Sequence, residues 1–377
     1  MKKIALFRNS NNIGGIEIQV LNISTYLKEK NVVKPILITW SHDIFSKEYK
    51  KHGLEVLYLP SVSIFKAAYN LQRLCSLHNI NYIQSHGFKE SIISRIAKLM
   101  SPSLKLFFRV QTYINCSNIS NKKKKTYYLL DSITSFLVEK YIVNGQYIAT
   151  EMEKNTFINK NKIITILNGK KKIGPYDSLP TKTKKSLPKK IAMIANFDKG
   201  KGHFTLIKAI KLLKDKNITI ETHLIGGGFN DNKKNKYSES SEKLSELISK
   251  YQLTNNFIFH GFTKEIYPII KDIPTIVLPS DSEGIPNCIL EAMSLKKIII
   301  ASNVGGIPEM IHNLKEGLLH PPKSPKDLAS LLETLYTKEA HFWNSMRENS
   351  YKKWEKSFDF KAFMNKLENI YKKHSIY

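Results

Sequence analysis

Residues 280–293 read SDSEGIPNCILEAM and set Glu283 and Glu291 eight positions apart around a Gly-Ile-Pro-Asn turn. Just ahead, Thr275–Leu278 is an apolar run that reads as a buried strand, with Pro279–Ile285 as the loop at its C-terminal end. Pro286 suits the first turn of a helix, because no N–H is needed there and its φ is already helical. The open N–H groups and the positive dipole end of such a helix make a ready anion site. Glu283 precedes that site in the loop, and Glu291 lies inside the helix, about 7–8 Å further along its axis. A diphosphate at the helix start, with a hydroxyl-rich ring on either side, would make each carboxylate an acceptor for sugar hydroxyls.

Other stretches carry polar residues next to strand ends. NNIGGIEIQVLNISTYL (11–27) puts Gly14 and Gly15 between a strand and a helix, where two glycines let the backbone come close to a ligand. Glu17 then reads as a helix-start residue that complements the dipole. His86, in NYIQSHGF, follows another strand, and LFFRVQTYIN places Arg109 and Gln111 at the end of the next. Arg109 suits either an acceptor phosphate or a strand-end cap. Gln111 can hydrogen-bond a sugar hydroxyl but cannot ionise. The segment NKKKKTYYLLDSITSFLVEKY (121–141) has two readings. One is a solvated helix start followed by a core-facing stripe; the other is an interfacial surface of lysines and aromatics meeting lipid. The histidines show no ligand spacing, and no metal site is expected.

These residues need elements to hold them. Strands are expected at Lys2–Phe7, Val33–Trp40, Leu54–Leu59, Tyr82–Gln84, Leu104–Val110, Tyr141–Val143 and Lys162–Leu167, alternating with helical patterns such as Ile16–Lys30, Phe65–Asn79 and Ser91–Met100. This alternation implies βαβ units and parallel sheets. Residues 170–190 hold three prolines and eight lysines without apolar periodicity, and read as a linker. Alternation restarts with strands at Ile191–Asn196, Ile218–Ile225, Phe257–Phe259, Thr275–Leu278 and Ile298–Ala301. Helices are expected at Phe204–Lys214, Ser241–Tyr251, Pro286–Leu295, Ile307–His312 and Pro325–Tyr336, and the tail beyond Glu339 is helical and aromatic. The division is therefore an N-terminal Rossmann-like domain (1–169), a linker (170–190), a second Rossmann-like domain (191–350) and a C-terminal helical segment (351–377), with a cleft between two doubly wound α/β domains.

Charge is distributed unevenly. Residues 1–190 carry 32 basic and 11 acidic side chains, whereas residues 191–377 carry 27 and 21. Only five of the 59 basic residues are Arg, so lysine-rich codon bias accounts for part of the excess but not for its location. A basic face on the N-terminal half points to an anionic membrane surface or a phosphorylated acceptor. Nucleic acid is not expected, because Arg is scarce and no nucleic-acid motif occurs. Cys75, Cys116 and Cys288 are odd in number and widely spaced, and no apolar run approaches a membrane span or a signal sequence. A cytoplasmic protein, peripheral at the inner membrane face, is the expectation.

NNFIFHGF, TIVLPSDSEGIPNCILEAM, ASNVGGIPEMI and EGLLHPP together resemble the C-terminal half of the family-4 glycosyltransferases, which have the GT-B fold and retain anomeric configuration. The family's E-x7-E motif is matched by Glu283 and Glu291. The resemblance implies that Glu283 contacts the transferred sugar and Glu291 the nucleotide ribose. Gly284, Ile285, Pro286 and Asn287 would approach the sugar and phosphates. IANFDKGKGHFTLIKAI (194–210) resembles the stretch whose Arg and Lys hold the donor diphosphate; Lys201 fits the lysine, while Asn196 stands at the arginine position. Gly14 and Gly15 resemble the GG-x-E entry that closes over donor phosphates and acceptor. His86 matches a polar cleft residue, and Gln111 stands where the family usually has a histidine. C-terminal helices would pack back toward the first domain. The implied activity is metal-independent transfer of a hexosyl or N-acetylhexosaminyl group from a UDP- or GDP-sugar to a lipid-linked glycan acceptor in surface-polysaccharide synthesis, without a further cofactor. A nucleotide-sugar epimerase on the same scaffold and a non-catalytic partner subunit are the alternatives.

Overall fold

The structure is a computed structural model and describes residues 1–10, 13–40, 42–60, 63–111, 120–174, 189–228, 238–263 and 265–377. Cys116 and most of the expected linker, residues 175–188, lie outside the described residues. The chain divides into two compact units, Met1–Asn168 with Lys361–Tyr377, and Gly169–Phe360. Residues 351–360 thus group with the second unit, and only the last 17 residues with the first.

The first unit is built on seven parallel strands: β1 (Lys2–Phe7), β2 (Val33–Thr39), β3 (Glu55–Tyr58), β4 (Tyr82–Ser85), β5 (Lys105–Val110), β6 (Lys140–Val143) and β7 (Ile163–Thr165), in the order β3-β2-β1-β4-β5-β6-β7. Its helices are α1 (Gly15–Lys30), α2 (Ile44–Lys51), α3 (Ile64–Leu77), α4 (Phe88–Met100), α5 (Asn121–Ile133) and α6 (Gln146–Asn155). The second unit has six parallel strands: β8 (Lys190–Ile194), β9 (Glu221–Ile225), β10 (Phe257–Gly261), β11 (Thr275–Leu278), β12 (Ile298–Ser302) and β13 (Leu318–His320), in the order β10-β9-β8-β11-β12-β13. Its helices are α7 (His203–Lys214), α8 (Ser238–Lys250), α9 (Tyr267–Ile270), α10 (Asn287–Ser294), α11 (Ile307–Met310), α12 (Pro325–Thr337) and α13 (Ala340–Ser357). The closing helix α14 (Phe360–Lys373) brings Tyr371 to the first unit's core, where its hydroxyl donates to Gln84 Oε1 at 2.7 Å.

Central strands such as TIVL and IIIAS are buried along their whole length, as parallel strands covered on both faces must be. In each sheet the strand order reverses once, between β1 and β4 and between β8 and β11. The crevice beyond the carboxyl ends of such strands is where doubly wound sheets bind ligands. Sequence patterns did not separate α2, α6 or the three-residue β13. Among the described residues, no helix is long and apolar enough to cross a membrane.

A buried ion pair sets the position of α5 on the first unit. Arg95 of α4 donates to Asp131 Oδ1 and Thr134 Oγ1, both at 2.7 Å, and lies near the Phe108 and Tyr141 rings. The Arg95 and Asp131 side chains are 1% and 0% exposed. Breaking such a pair strips a buried charge of its partner, so Arg95→Met is expected to lower stability by about 3–5 kcal/mol. Adding Asp131→Leu should recover much of that loss; urea unfolding of the single and double variants checks both.

Candidate functional site

Lys201 and Glu283 meet at the switch point of the second sheet. Lys201 lies in the loop after β8 and Glu283 in the loop after β11, and Lys201 Nζ donates to Glu283 Oε1 at 2.8 Å. Ser280 Oγ donates to the same oxygen at 2.7 Å. The two loops are also joined through backbone, since Asp281 N–H donates to Gly200 O at 2.8 Å. Two glycines make the close approach possible. Gly202, with φ +83°, packs against the Pro279 carbonyl, and Gly305, with φ +54°, against the Glu283 carbonyl. A Cβ at either position would collide with backbone, so the Pro279–Glu283 loop is confined from two sides.

Burial opposes the Lys201 charge, but the Glu283 carboxylate outweighs it through charge and hydrogen bond, with Cys288 and Asp198 adding. The ammonium is held above its ordinary range, and Lys201 is a cation at neutral pH. The pair in the structure uses one of its three N–H donors.

Helix α10 begins one residue later than expected. Pro286 is its N-cap, with ψ 129°, and its carbonyl accepts from Ile289 N at 3.2 Å and Leu290 N at 3.4 Å. The fixed φ of proline suits a cap as well as a first turn; the extended ψ decides between them. No side chain caps this helix start. Asn287 and Glu291, four residues apart, share its half-buried face, while Ile289, Leu290, Ala292 and Met293 fill the core. Cys288 shows how the two carboxylates bracket this turn. Burial, then the charges of Glu283 and Glu291, raise its thiol far above the ordinary range. Glu291 Oε1 is also paired with Lys170 Nζ at 2.7 Å, both side chains largely buried. Asn196 is exposed, and its Oδ1 accepts from Gly227 N–H at 3.0 Å.

Gly14, expected over the donor phosphates, and His86, expected in the acceptor cleft, both lie at the strand ends of the first unit. Gly14 is the N-cap of α1, and its N–H donates to Glu17 Oε2 at 2.9 Å. Arg8 Nε donates to Glu17 Oε1 at 2.8 Å and its Nη1 to the His86 carbonyl at 3.0 Å. Glu90 Oε1 accepts from Asn9 N–H at 3.0 Å. His86 is buried with its Nε2 3.0 Å from Gln84 Nε2. Burial and the charges of Arg109 and Arg8 hold its imidazole well below the ordinary range, with Gln111 acting in the opposite sense. A neutral His86 is a hydrogen-bonding group, not a cation.

Arg109 lies inside the first unit, near the end of β5, where its Nη2 also reaches the Ile166 carbonyl at 3.4 Å. It is 1% exposed, donates to Asn168 Oδ1 at 2.8 Å, and lies 4.9 Å from the Phe363 ring centroid. Burial lowers it to about 10. It is enclosed because the chain's last segment, remote in sequence, packs onto β5. Arg8, Glu90, Ser280 and Lys170 were not singled out in the sequence. The repeated spacing Gly14-x-x-Glu17 and Gly87-x-x-Glu90, both at helix starts, was a usable signal for Glu90. Among the described residues, no three His, Cys, Asp or Glu side chains gather as ligands for a metal ion.

His203, the first residue of α7, is 4% exposed and stacks on Phe197 at 4.4 Å. Burial and the Lys201 charge push its imidazole down to about 3, with the Ala195 backbone acting in the opposite sense. The unfolded chain takes up this proton near 6.5 and the folded chain only near 3. Stability is therefore complete above pH 6.5 and falls as pH drops toward 3, by about 1.4 kcal/mol per unit. His203→Gln is expected to flatten that slope, which denaturant unfolding between pH 4 and 7 measures.

Residues 178–353 match the family model described as Glycosyl transferases group 1. The chain is similar along nearly its whole length to MJ1178, an uncharacterized glycosyltransferase of Methanocaldococcus jannaschii, at 25% identity over 96% of this chain and 95% of that protein. It is 20% identical to CapH of Staphylococcus aureus, a capsular polysaccharide biosynthesis glycosyltransferase, over 96% of each. Among solved structures, HepE of Anabaena superposes with a TM-score of 0.83 in its UDP complex and 0.81 in its UDP-glucose complex. That likeness is at 16% identity over 99% of this chain and 100% of HepE. The two parallel-sheet units thus have the fold of the GT-B glycosyltransferases, and the match to the group 1 model falls within the second.

Proposed function

We propose that this chain is a glycosyltransferase, a retaining, metal-independent enzyme of surface-polysaccharide synthesis that moves a hexosyl or N-acetylhexosaminyl group from a UDP- or GDP-sugar to a hydroxyl of a lipid-linked glycan. The observation that carries the reading is the Lys201–Glu283–Ser280 arrangement beside the uncapped start of α10. In this reading the diphosphate lies against the α10 start and Lys201, with Gly284–Asn287 as the adjoining backbone and Asn196 as a further hydrogen-bonding group. Glu283 accepts from a hydroxyl of the transferred sugar and Glu291 from the ribose. The bond between the anomeric carbon and the phosphate oxygen breaks, and the acceptor oxygen bonds to that carbon on the same face. The departing phosphate takes the acceptor proton, so no side chain has to act as base. Lys201 stabilises the charge that builds on the leaving group, and its raised pKa keeps it available for that role. Catalysis then rests on positioning and electrostatics. The first unit takes the acceptor beside His86 and Gln111, Gly14 and Gly15 close over the donor phosphates, and the protein works at the cytoplasmic membrane face.

A panel of UDP- and GDP-sugars, followed for transfer and for slow hydrolysis, identifies the donor. With that donor, Lys201→Ala and Glu283→Ala are expected to lower kcat by about 10²–10³-fold. Glu291→Ala should chiefly raise the donor KM. Activity close to wild type in Glu283→Ala would sink the assignment, and interconversion of the donor without any acceptor would point to an epimerase.

A further inference from the structure

One surface of the first unit is both apolar and strongly basic. Leu129 and Ile133 of α5 are 58% and 57% exposed, and Phe136, in the turn that follows, is 68% exposed. Phe157 is 93% exposed, and its N–H donates to Ser132 Oγ at 3.0 Å, which sets its backbone against the same helix. Within α5, Lys122, Lys125, Leu129 and Ile133 follow one another at steps of three and four, so these two lysines and two apolar side chains lie along one face. The remainder of α5 shows why this face is separate from the core, because Tyr128 and Asp131 turn inward.

The lysines are the less ordinary half of the feature. Lys122–Lys125 occupy the first turns of α5, the end of the dipole that favours anions, and that first turn holds no acidic residue. Among the described residues, no ion pair is formed by any of the four. Nearby carboxylates are already engaged, Asp131 with Arg95, Glu139 with Lys98, Glu151 with Tyr128 and Glu153 with Lys160. Four cations placed against a dipole, beside exposed aromatic and aliphatic side chains, call for an anionic partner that also accepts apolar groups.

We propose that this face is the membrane-binding surface of the protein and that its partner is an anionic phospholipid bilayer. Phe136, Phe157, Leu129 and Ile133 enter the boundary between headgroups and acyl chains, and Lys122–Lys125 lie among the lipid phosphates. A second copy of the chain is the poorer partner, because a symmetric contact would bring two lysine clusters together. The surface deepens the membrane-face part of the function proposed above and rests on that reading for its purpose, whereas its binding needs neither donor nor acceptor.

Sedimentation with vesicles made of phosphatidylglycerol and phosphatidylcholine in equal parts, and with phosphatidylcholine alone, tests it. Wild type is expected to bind the anionic vesicles at least about tenfold more tightly, and to be released by high salt. Phe136→Ser/Phe157→Ser, and separately Lys122–Lys125 all replaced by Gln, should each weaken binding about tenfold or more. Both variants should keep wild-type thermal unfolding and wild-type sugar transfer to a water-soluble acceptor. Wild type that ignores anionic vesicles, or variants that bind them as wild type does, would overturn the proposal. So would a wild-type dimer in solution that the phenylalanine variant dissociates. Loss of transfer in Glu283→Ala with vesicle binding intact separates the two proposals, since each can fail alone.

Discussion

A lysine and a glutamate 82 residues apart share one hydrogen bond because two neighbouring strands send their chains in opposite directions. After β8 the chain turns toward β9, and after β11 toward β12, which opens a gap at the carboxyl ends of two strands lying side by side. Everything in the candidate site is a consequence of how that gap is lined. The loops are stitched by Asp281 N–H on Gly200 O and by Ser280 on Glu283. Gly202 and Gly305 remove the side chains that would hold the backbones apart. The Lys201 ammonium then sits where a carboxylate more than offsets the cost of burying it, and stays charged. An ammonium fixed in this way needs little rearrangement when further negative charge develops nearby, which is what electrostatic preorganisation requires.

Much of this was legible in the residues, and the exceptions follow a pattern. Runs such as KKIALF and TIVL gave their strands at the observed boundaries, because a strand buried on both faces leaves an uninterrupted apolar string. Strand β13 has three residues, too few for any periodicity. Helix α2 has exposed Ile44 at its start, which blurs its apolar face. Glu283 and Glu291 stood out because loop and helix-start chemistry is local in sequence, and Lys201 through the resemblance of the stretch 194–210. Lys170 did not, since its pairing with Glu291 spans 121 positions and it opens a run of three lysines. The burial of Arg109 was not legible for the same reason, because it depends on Phe363 and Tyr371, contributed by a segment more than 250 residues later.

The basic excess of the N-terminal half can now be divided by use. Several lysines close helix ends. Lys28 Nζ donates to the carbonyls of His52 and Gly53 after α2, Lys3 to His78 after α3, and Lys162 to Ser135, Phe136 and Val138 after α5. A cation at a helix C-terminus meets the negative end of the dipole and satisfies carbonyls that the helix leaves open. Such lysines are accounted for by folding alone, and a lysine-rich codon bias would supply them. Lys122–Lys125 stand at the opposite end of a helix, where the same dipole works against them. Codon bias raises the number of lysines without choosing a helix end. Sorting the charge by position on the dipole therefore separates the part that folding uses from the part that folding opposes. The opposed part lies beside Leu129 and Ile133, two of the exposed apolar side chains of that helix.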